Sequence, residues 1–211
     1  IQTMEGGLMA QAYSIRFHYE GPKQIFSYIG YQAGEQEYGG IRFKTDSVSL
    51  NHNINPSGNL YFHLDLSYGN QIDFINTRSG KRFRSNLISE YTPGLHLKLF
   101  LSYIFERMTV NRRQLYDAHI SELRAVYQFS RRTFIRGILQ YVQQYRNTEL
   151  YGININARDR QIFAQLLFSF KLNPRTVFFL GYSDNHLSDD RFQLFRKNRT
   201  LFIKIGYALT I

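Results

Sequence analysis

Residues that could do chemistry are plentiful in this chain, but their spacing forms no recognised constellation. The six histidines, His18, His52, His63, His96, His119 and His186, contain no i,i+4 pair and no His-x-His, so a zinc site is not expected. Asp184-Asn185-His186 with Asp189-Asp190 gathers enough oxygen for calcium, yet lacks the Asp-x-Asp-x-Asp-Gly spacing of a calcium loop. No Gly-x-Ser-x-Gly, Walker loop or Gly-x-Gly-x-x-Gly occurs. A hydrolase working on lipid would need a Ser and a His on the lipid side with an orienting Asn or Asp, and nothing in the linear pattern assembles that triad. No catalytic residue, metal or cofactor is therefore assigned, and the chain is expected not to be an enzyme.

The charges carry more information. Lys and Arg number 26 against 16 Asp and Glu, a formal net charge of +10, which calls for an anionic partner: nucleic acid, lipid head groups, or the solute of an anion-attracting pore. Cysteine is absent, which removes disulfides and thiolate metal sites. No apolar run reaches 18 residues, so a membrane-spanning helix is excluded. The average hydropathy resembles that of a soluble protein, but a strand with one apolar and one polar face averages to the same value.

That alternation is present throughout. Leu60, Phe62, Leu64, Leu66 and Tyr68 share one face of a ribbon whose other face reads Tyr61, His63, Asp65 and Ser67. Leu95, Leu97, Leu99, Leu101, Tyr103 and Phe105 oppose His96, Lys98, Ser102 and Glu106. Leu201, Ile203, Ile205, Tyr207, Leu209 and Ile211 oppose Thr200, Lys204, Gly206, Ala208 and Thr210. Period two sustained over nine to eleven residues is the length a tilted strand needs to cross a bilayer. About eleven such strands are expected, near 9–20, 24–33, 45–54, 59–69, 82–92, 94–106, 114–129, 132–145, 159–172, 175–183 and 199–211.

Short breaks alternate with longer polar segments. Gly21-Pro22-Lys23, Asn55-Pro56-Ser57-Gly58, Thr92-Pro93-Gly94, Ser130-Arg131-Arg132 and Asn173-Pro174-Arg175 read as tight turns. Segments near 33–45, 70–81, 107–114, 146–158 and 184–198 read as longer loops. Tight turns at one end and long loops at the other is the asymmetry of an outer-membrane barrel, with the short turns facing the periplasm. Tyr19, Tyr68, Tyr91, Tyr103, Tyr127, Tyr141 and Tyr182 close the apolar stripes, as an interfacial girdle would. The reading is an all-β, antiparallel transmembrane barrel of the bacterial outer membrane, about 10–12 strands in one domain over 1–211.

With eleven strands the first and last run the same way, whereas single-chain bacterial barrels use even numbers. The start of the barrel, or a further domain, is expected upstream of Ile1. The opening Ile1-Gln2-Thr3-Met4-Glu5 contains neither a charged nor an apolar leader segment.

If the apolar stripes face lipid, Arg16, His18, Arg84, Lys98, Arg124, Arg136, Gln140 and Lys204 face the lumen, with Asp65, Glu90 and Glu122 among them. A basic interior favours anionic solutes; equally, such charges pair across strands and simply fill the barrel. A second basic set, Lys81, Arg82, Arg107, Arg112, Arg113, Arg146, Arg158, Arg160, Arg191, Arg196 and Lys197, sits in the loops. Clustered at strand ends, it suits head-group phosphates or lipopolysaccharide rather than nucleic acid, or it is simply solvated.

The final Lys204-Ile205-Gly206-Tyr207-Ala208-Leu209-Thr210-Ile211 resembles the signal by which barrel-assembly machinery recognises the last strand of its clients, with Lys204, Gly206, Leu209 and Ile211 at the key positions. Ile211 stands where that signal usually has Phe. The stretch from about Asp46 onward resembles the large outer-membrane barrels that follow an N-terminal domain similar to carbohydrate-binding family nine. The resemblance is carried by Tyr127-Gln128-Phe129-Ser130, Phe134-Ile135-Arg136-Gly137-Ile138-Leu139-Gln140-Tyr141, Val177-Phe178-Phe179-Leu180-Gly181-Tyr182-Ser183-Asp184 and Asn198-Arg199-Thr200-Leu201-Phe202-Ile203-Lys204. It implies a barrel forming the C-terminal part of a longer protein, with no activity and no sugar-contacting residue to carry over.

Function then divides three ways. A pore, or the membrane anchor of a larger envelope complex that includes other envelope proteins, is the first reading. A soluble basic β-barrel binding an anionic ligand is the second, and a barrel-embedded lipolytic enzyme the third.

Overall fold

The computed structural model describes residues 10–173, 175–188 and 194–208. Eleven strands form one sheet in strict chain order, each antiparallel to the next. They are β1 (Ala10–Gly21), β2 (Ile25–Tyr38), β3 (Ile41–Ser57), β4 (Leu60–Asp73), β5 (Arg78–Tyr91), β6 (Leu97–Val110), β7 (Arg113–Ser130), β8 (Thr133–Arg146), β9 (Arg158–Asn173), β10 (Thr176–Ser188) and β11 (Leu194–Tyr207). A single 3-10 turn, Thr148–Leu150, lies between β8 and β9.

Register fixes which residues share a face, because directly opposed residues of an antiparallel pair project to the same side. Phe17, Ile29 and Leu50 stand in one row, as do Leu64, Leu87, Tyr103 and Ser121. This face carries the apolar stripes, and it is open: Ile15, Phe17, Ile29, Val48, Leu101, Leu123, Leu139, Leu166, Leu201, Ile203 and Ile205 all rank among the exposed large hydrophobics. An apolar surface this extensive on every strand has no place in water. A nine-residue row such as Leu97 to Phe105 covers about 23 Å of membrane normal at a tilt near 40°. The expected tyrosine girdle lies on the same face, with Tyr19 59%, Tyr68 52% and Tyr127 42% exposed.

The opposite face is concave, where side chains converge. Phe43, Asn51, Met108, Val110, Leu167 and Ser169 are buried on it. It is less uniformly polar than alternation suggests, since Ile104, Ile120 and Val142 stand in register there.

Four of the five expected long loops are corrected. The segment 33–45 is two strands joined by Gly39-Gly40, both at positive φ (60° and 75°). The segment 107–114 closes through Asn111-Arg112, at φ 51° and 63°. Two-residue turns with positive φ match strand twist, which explains the residue types. The segment 70–81 shrinks to residues 74–77. Strand pairing continues beyond the apolar band, where the outer face turns polar (Glu35, Arg42, Lys44, Arg107) and apolar residues such as Phe43, Met108 and Val110 point inward, so the apolar stripe changes side. Of the segment 184–198, residues 184–188 belong to β10 and 194–198 to β11, while 189–193 lies outside the described residues; only 147–157 remains a long loop among those described. At the other end the tight turns are present, although Pro56 belongs to the end of β3, where the pairing shifts register between Ile54 and Ser57; Pro174 lies outside the described residues.

β1 pairs only with β2 and β11 only with β10 among the described residues. The two edge strands run in the same direction, as the odd count requires.

Candidate functional site

The inner wall of β3 to β8 is assembled rung by rung. Ser49, Ser67, Arg84 and Glu106 follow one another across four strands, and two residues along, Asn51, Asp65, Asn86 and Ile104 do the same. Asn51 Nδ2 donates to Asp65 Oδ1 at 2.5 Å, while the other carboxylate oxygen of Asp65 lies 2.5 Å from His63 Nε2. His63 Nδ1 lies 2.6 Å from Asn53 Oδ1, which also accepts the Tyr61 hydroxyl proton at 2.8 Å. Asn53 Nδ2 in turn donates to Asn51 Oδ1 at 2.7 Å. Five side chains from two strands thus satisfy one another on a wall where each alone would be costly to leave unpaired.

All seven lumen candidates, Arg16, Arg84, Lys98, Arg124, Arg136, Gln140 and Lys204, lie on this inner face by register, as does His18. Their pairing differs. Arg84 meets Glu106 at 3.3 Å, Lys98 meets Glu90 at 2.7 Å, and Arg124 meets Glu122 at 2.6 Å. Arg16 instead lies 5.7 Å over the Tyr28 ring, and Arg136 donates to Gln165 Oε1 at 3.4 Å. Arg16, Arg136 and Lys204 have no carboxylate partner among the described residues. Three of the six named cations therefore have a carboxylate partner on this face, and Arg16, Arg136 and Lys204 do not.

The loop 147–157 was not foreseen as part of the site. It folds onto the inner face from β8 and β9 and reaches the β4–β5 turn. Arg78 Nη2 donates to Leu150 O at 2.5 Å, and its Nε donates to Asp73 Oδ2 at 2.9 Å, where the Asp73 side chain is only 3% exposed. Gly152 N donates to Asn76 Oδ1 at 3.0 Å, and Arg113 Nη2 to Glu149 Oε2 at 2.6 Å. Beneath lies an apolar cluster of Met108, Val110 and the fully buried Leu115, against which Tyr116, Leu150 and Tyr151 pack. Burial, then the nearby Asp73 carboxylate, raises the Tyr151 hydroxyl above its ordinary pKa, with Arg146 and Arg78 opposing. Leu150 and Tyr151, followed by Ile153 and Ile155 in the same loop, were the available sequence signal.

The remaining candidates separate. Asp184 faces outward and is held by Tyr182, Arg199 and Arg196, while Asn185 projects to the opposite side, so the proposed calcium oxygens do not converge. Asp189 and Asp190 lie outside the described residues, as do Leu209 and Ile211 of the terminal signal; Lys204 and Gly206 sit on the inner face of β11. On the lipid-facing side, Ser27 Oγ lies 2.7 Å from His52 Nδ1.

An antiparallel sheet with an apolar outer belt, outward tyrosines and a charged concave wall defines an outer-membrane β-barrel. Solved structures agree. The chain is similar to in-vitro folded OmpT of Vibrio cholerae, an outer membrane protein, in its trimer form (TM-score 0.54, 15% identity, 92% of this chain and 64% of that one). It is likewise similar to OmpT expressed in the outer membrane of that organism (TM-score 0.51, 14% identity, 87% and 64%). The likeness to the NanC porin, at TM-score 0.40 and 10% identity over 95% and 94% of the two chains, is too remote to carry an argument. The chain spans about 64% of the length of the OmpT structures it matches. No family model and no curated protein matches it. The protein is an all-β barrel protein of the bacterial outer membrane.

The expectation that the chain is not an enzyme is corrected here. It rested on missing linear motifs, whereas the chain shares its fold with OmpT, and folding joins groups such as Ser27 and His52 that no linear motif joins. Missing motifs do not exclude catalysis on this framework.

Proposed function

We propose that the protein is a pore for small anionic solutes, constricted by the loop 147–157. The observation that carries this reading is the loop itself: hydrogen bonds and an apolar cluster fasten it across the concave wall, and polar, partly solvated side chains line the wall beside it. Its contacts with Asn76, Arg78 and Arg113, in the β4–β5 turn and at the first residues of β5 and β7, hold it at the mouth of the barrel. Arg16, Arg136 and Lys204 supply the positive bias, since their charge is not cancelled by a neighbouring carboxylate. Planar-bilayer conductance tests the reading. Channels with a reversal potential favouring chloride over potassium are expected, and Arg136→Gln with Lys204→Gln should bring that preference toward unity. A silent barrel supports the anchoring role instead, and cation selectivity overturns the reading.

The two free edges support a larger barrel. Unpaired strand edges cannot face hydrocarbon, and parallel β1 and β11 can be bridged antiparallel only by an odd number of further strands. We infer that such strands lie upstream, which agrees with the resemblance to barrels that follow a carbohydrate-binding-like domain. The chain lacks cysteine, so a cysteine pair at Phe17 and Ile203 reports edge contact without background. Ready disulfide formation in the membrane-embedded protein would place β1 beside β11 and sink the idea. Barrel-assembly machinery is the partner this reading implies for β11 during insertion.

A further inference from the structure

We infer that the outward groove over β4, β5 and β6 binds the phosphorylated head group of an outer-leaflet glycolipid. The inference concerns the lipid face and does not depend on the pore reading. The groove encloses about 570 Å³ and is lined by Tyr68, Asn70, Ser79, Lys81, Thr109 and Arg112. Tyr68, Asn70, Lys81 and Thr109 belong to the same face as the apolar rows, because Tyr68 opposes Phe83, Asn70 opposes Lys81, and Lys81 opposes Thr109.

The groove sits where the outer face changes character. Toward the tight turns the rows continue as Leu66, Leu87 and Phe105, which suits acyl chains. Tyr68, 52% exposed, offers a ring face on which a sugar can lie. Above it stand Lys81 and Arg112, neither with a carboxylate partner among the described residues, and the guanidinium is a bidentate match for phosphate. Arg112 occupies the two-residue turn at φ 63°, so its backbone is fixed close over the groove. The nearby Arg107 is already engaged by Asp117 at 2.7 Å and 2.9 Å, leaving Lys81 and Arg112 as the open anion contacts of this groove. The groove lies at the end that carries the long loop 147–157, away from the turns at 22–24, 58–59 and 131–132. With the longest loop on the outside, that end meets the outer leaflet, whose lipid carries phosphate on a sugar. Acyl-compatible rows, an exposed ring and two open cations side by side complement a ligand of that composition.

The test uses detergent-purified protein titrated with bisphosphorylated lipid A and with its dephosphorylated form, read by native mass spectrometry. At about 1 kcal/mol for each cation near a lipid surface, Lys81→Gln with Arg112→Gln should weaken binding of the phosphorylated lipid about thirtyfold. Heat-modifiable gel mobility, retained in the variant, separates a lost site from a lost fold. Arg131→Gln with Arg132→Gln, which removes the same charge at the opposite end, should leave binding unchanged. Equal loss in both double variants would overturn the inference, as would equal affinity of the protein for the two lipids. A Tyr68→Ala variant that keeps phosphate preference but binds several-fold more weakly would support the stacking part.

Discussion

The concave wall contains two regions built on different physics. Around His63 the side chains are polar, partly solvated and satisfied by one another, all from β3 and β4. At the other end of the lumen, the loop 147–157 is fastened by an apolar cluster and by contacts between groups far apart in sequence, Arg78 with Leu150 and Asn76 with Gly152. A polar wall held by short-range neighbours tolerates water and passing solute. A loop held by burial has one position and must open as a unit. On the pore reading, the first region would discriminate solutes and the second would set how wide the passage is.

Removing the loop is the severest way to break this contrast. Replacing residues 148–156 with a short Gly-Ser link should raise single-channel conductance more than any substitution on the wall, while selectivity persists. Unchanged conductance would show that the loop does not obstruct the passage. Asp73→Asn comes next. It leaves the Arg78 guanidinium beside a neutral, almost fully buried partner, and should weaken loop docking by about 3 kcal/mol, the lower end for breaking a buried pair because Arg78 remains partly solvated. Amide exchange across 147–157 would register the loss, with the amides around His63 unaffected. Leu115→Ala empties the centre of the apolar cluster and should cost about 2–3 kcal/mol by the same measurement. Its effect should add little once Asp73→Asn has already released the loop.

The smallest effect is the pH response. The Tyr151 hydroxyl titrates above its ordinary value in the docked loop, so the stability contributed by its neutral form is complete below about pH 10 and is lost as pH rises through the higher folded value. Conductance should therefore hold steady to about pH 10 and increase above it, and Tyr151→Phe should abolish that increase. An identical rise in the phenylalanine variant would assign the effect to other groups.

Much of the architecture was legible because a β-strand writes its environment into every second residue. Leu60 to Tyr68 and Leu97 to Phe105 named their lipid-facing rows without reference to any other strand, and all eleven strands appear where alternation placed them. Legibility stopped where the apolar stripe changes side. The continuations of β2 into β3 and of β6 into β7 looked like loops because their outer side chains are polar while Phe43, Met108 and Val110 turn inward, although the backbone stays paired through Gly39-Gly40 and Asn111-Arg112. Alternation alone could group Arg84 and Lys98 on one face of their strands but could not name their partners: Arg84 with Glu106 depends on how β5 and β6 are staggered.

By itself the sequence determined the strand number, the lipid-facing rows and the membrane location, since period-two hydropathy is a local property that hydrocarbon selects on each strand separately. Only the tertiary structure decided which charges cancel, where the loop 147–157 lies and which cations stand open above the apolar belt. Those outcomes depend on register and on contacts between distant segments, and no single strand carries them.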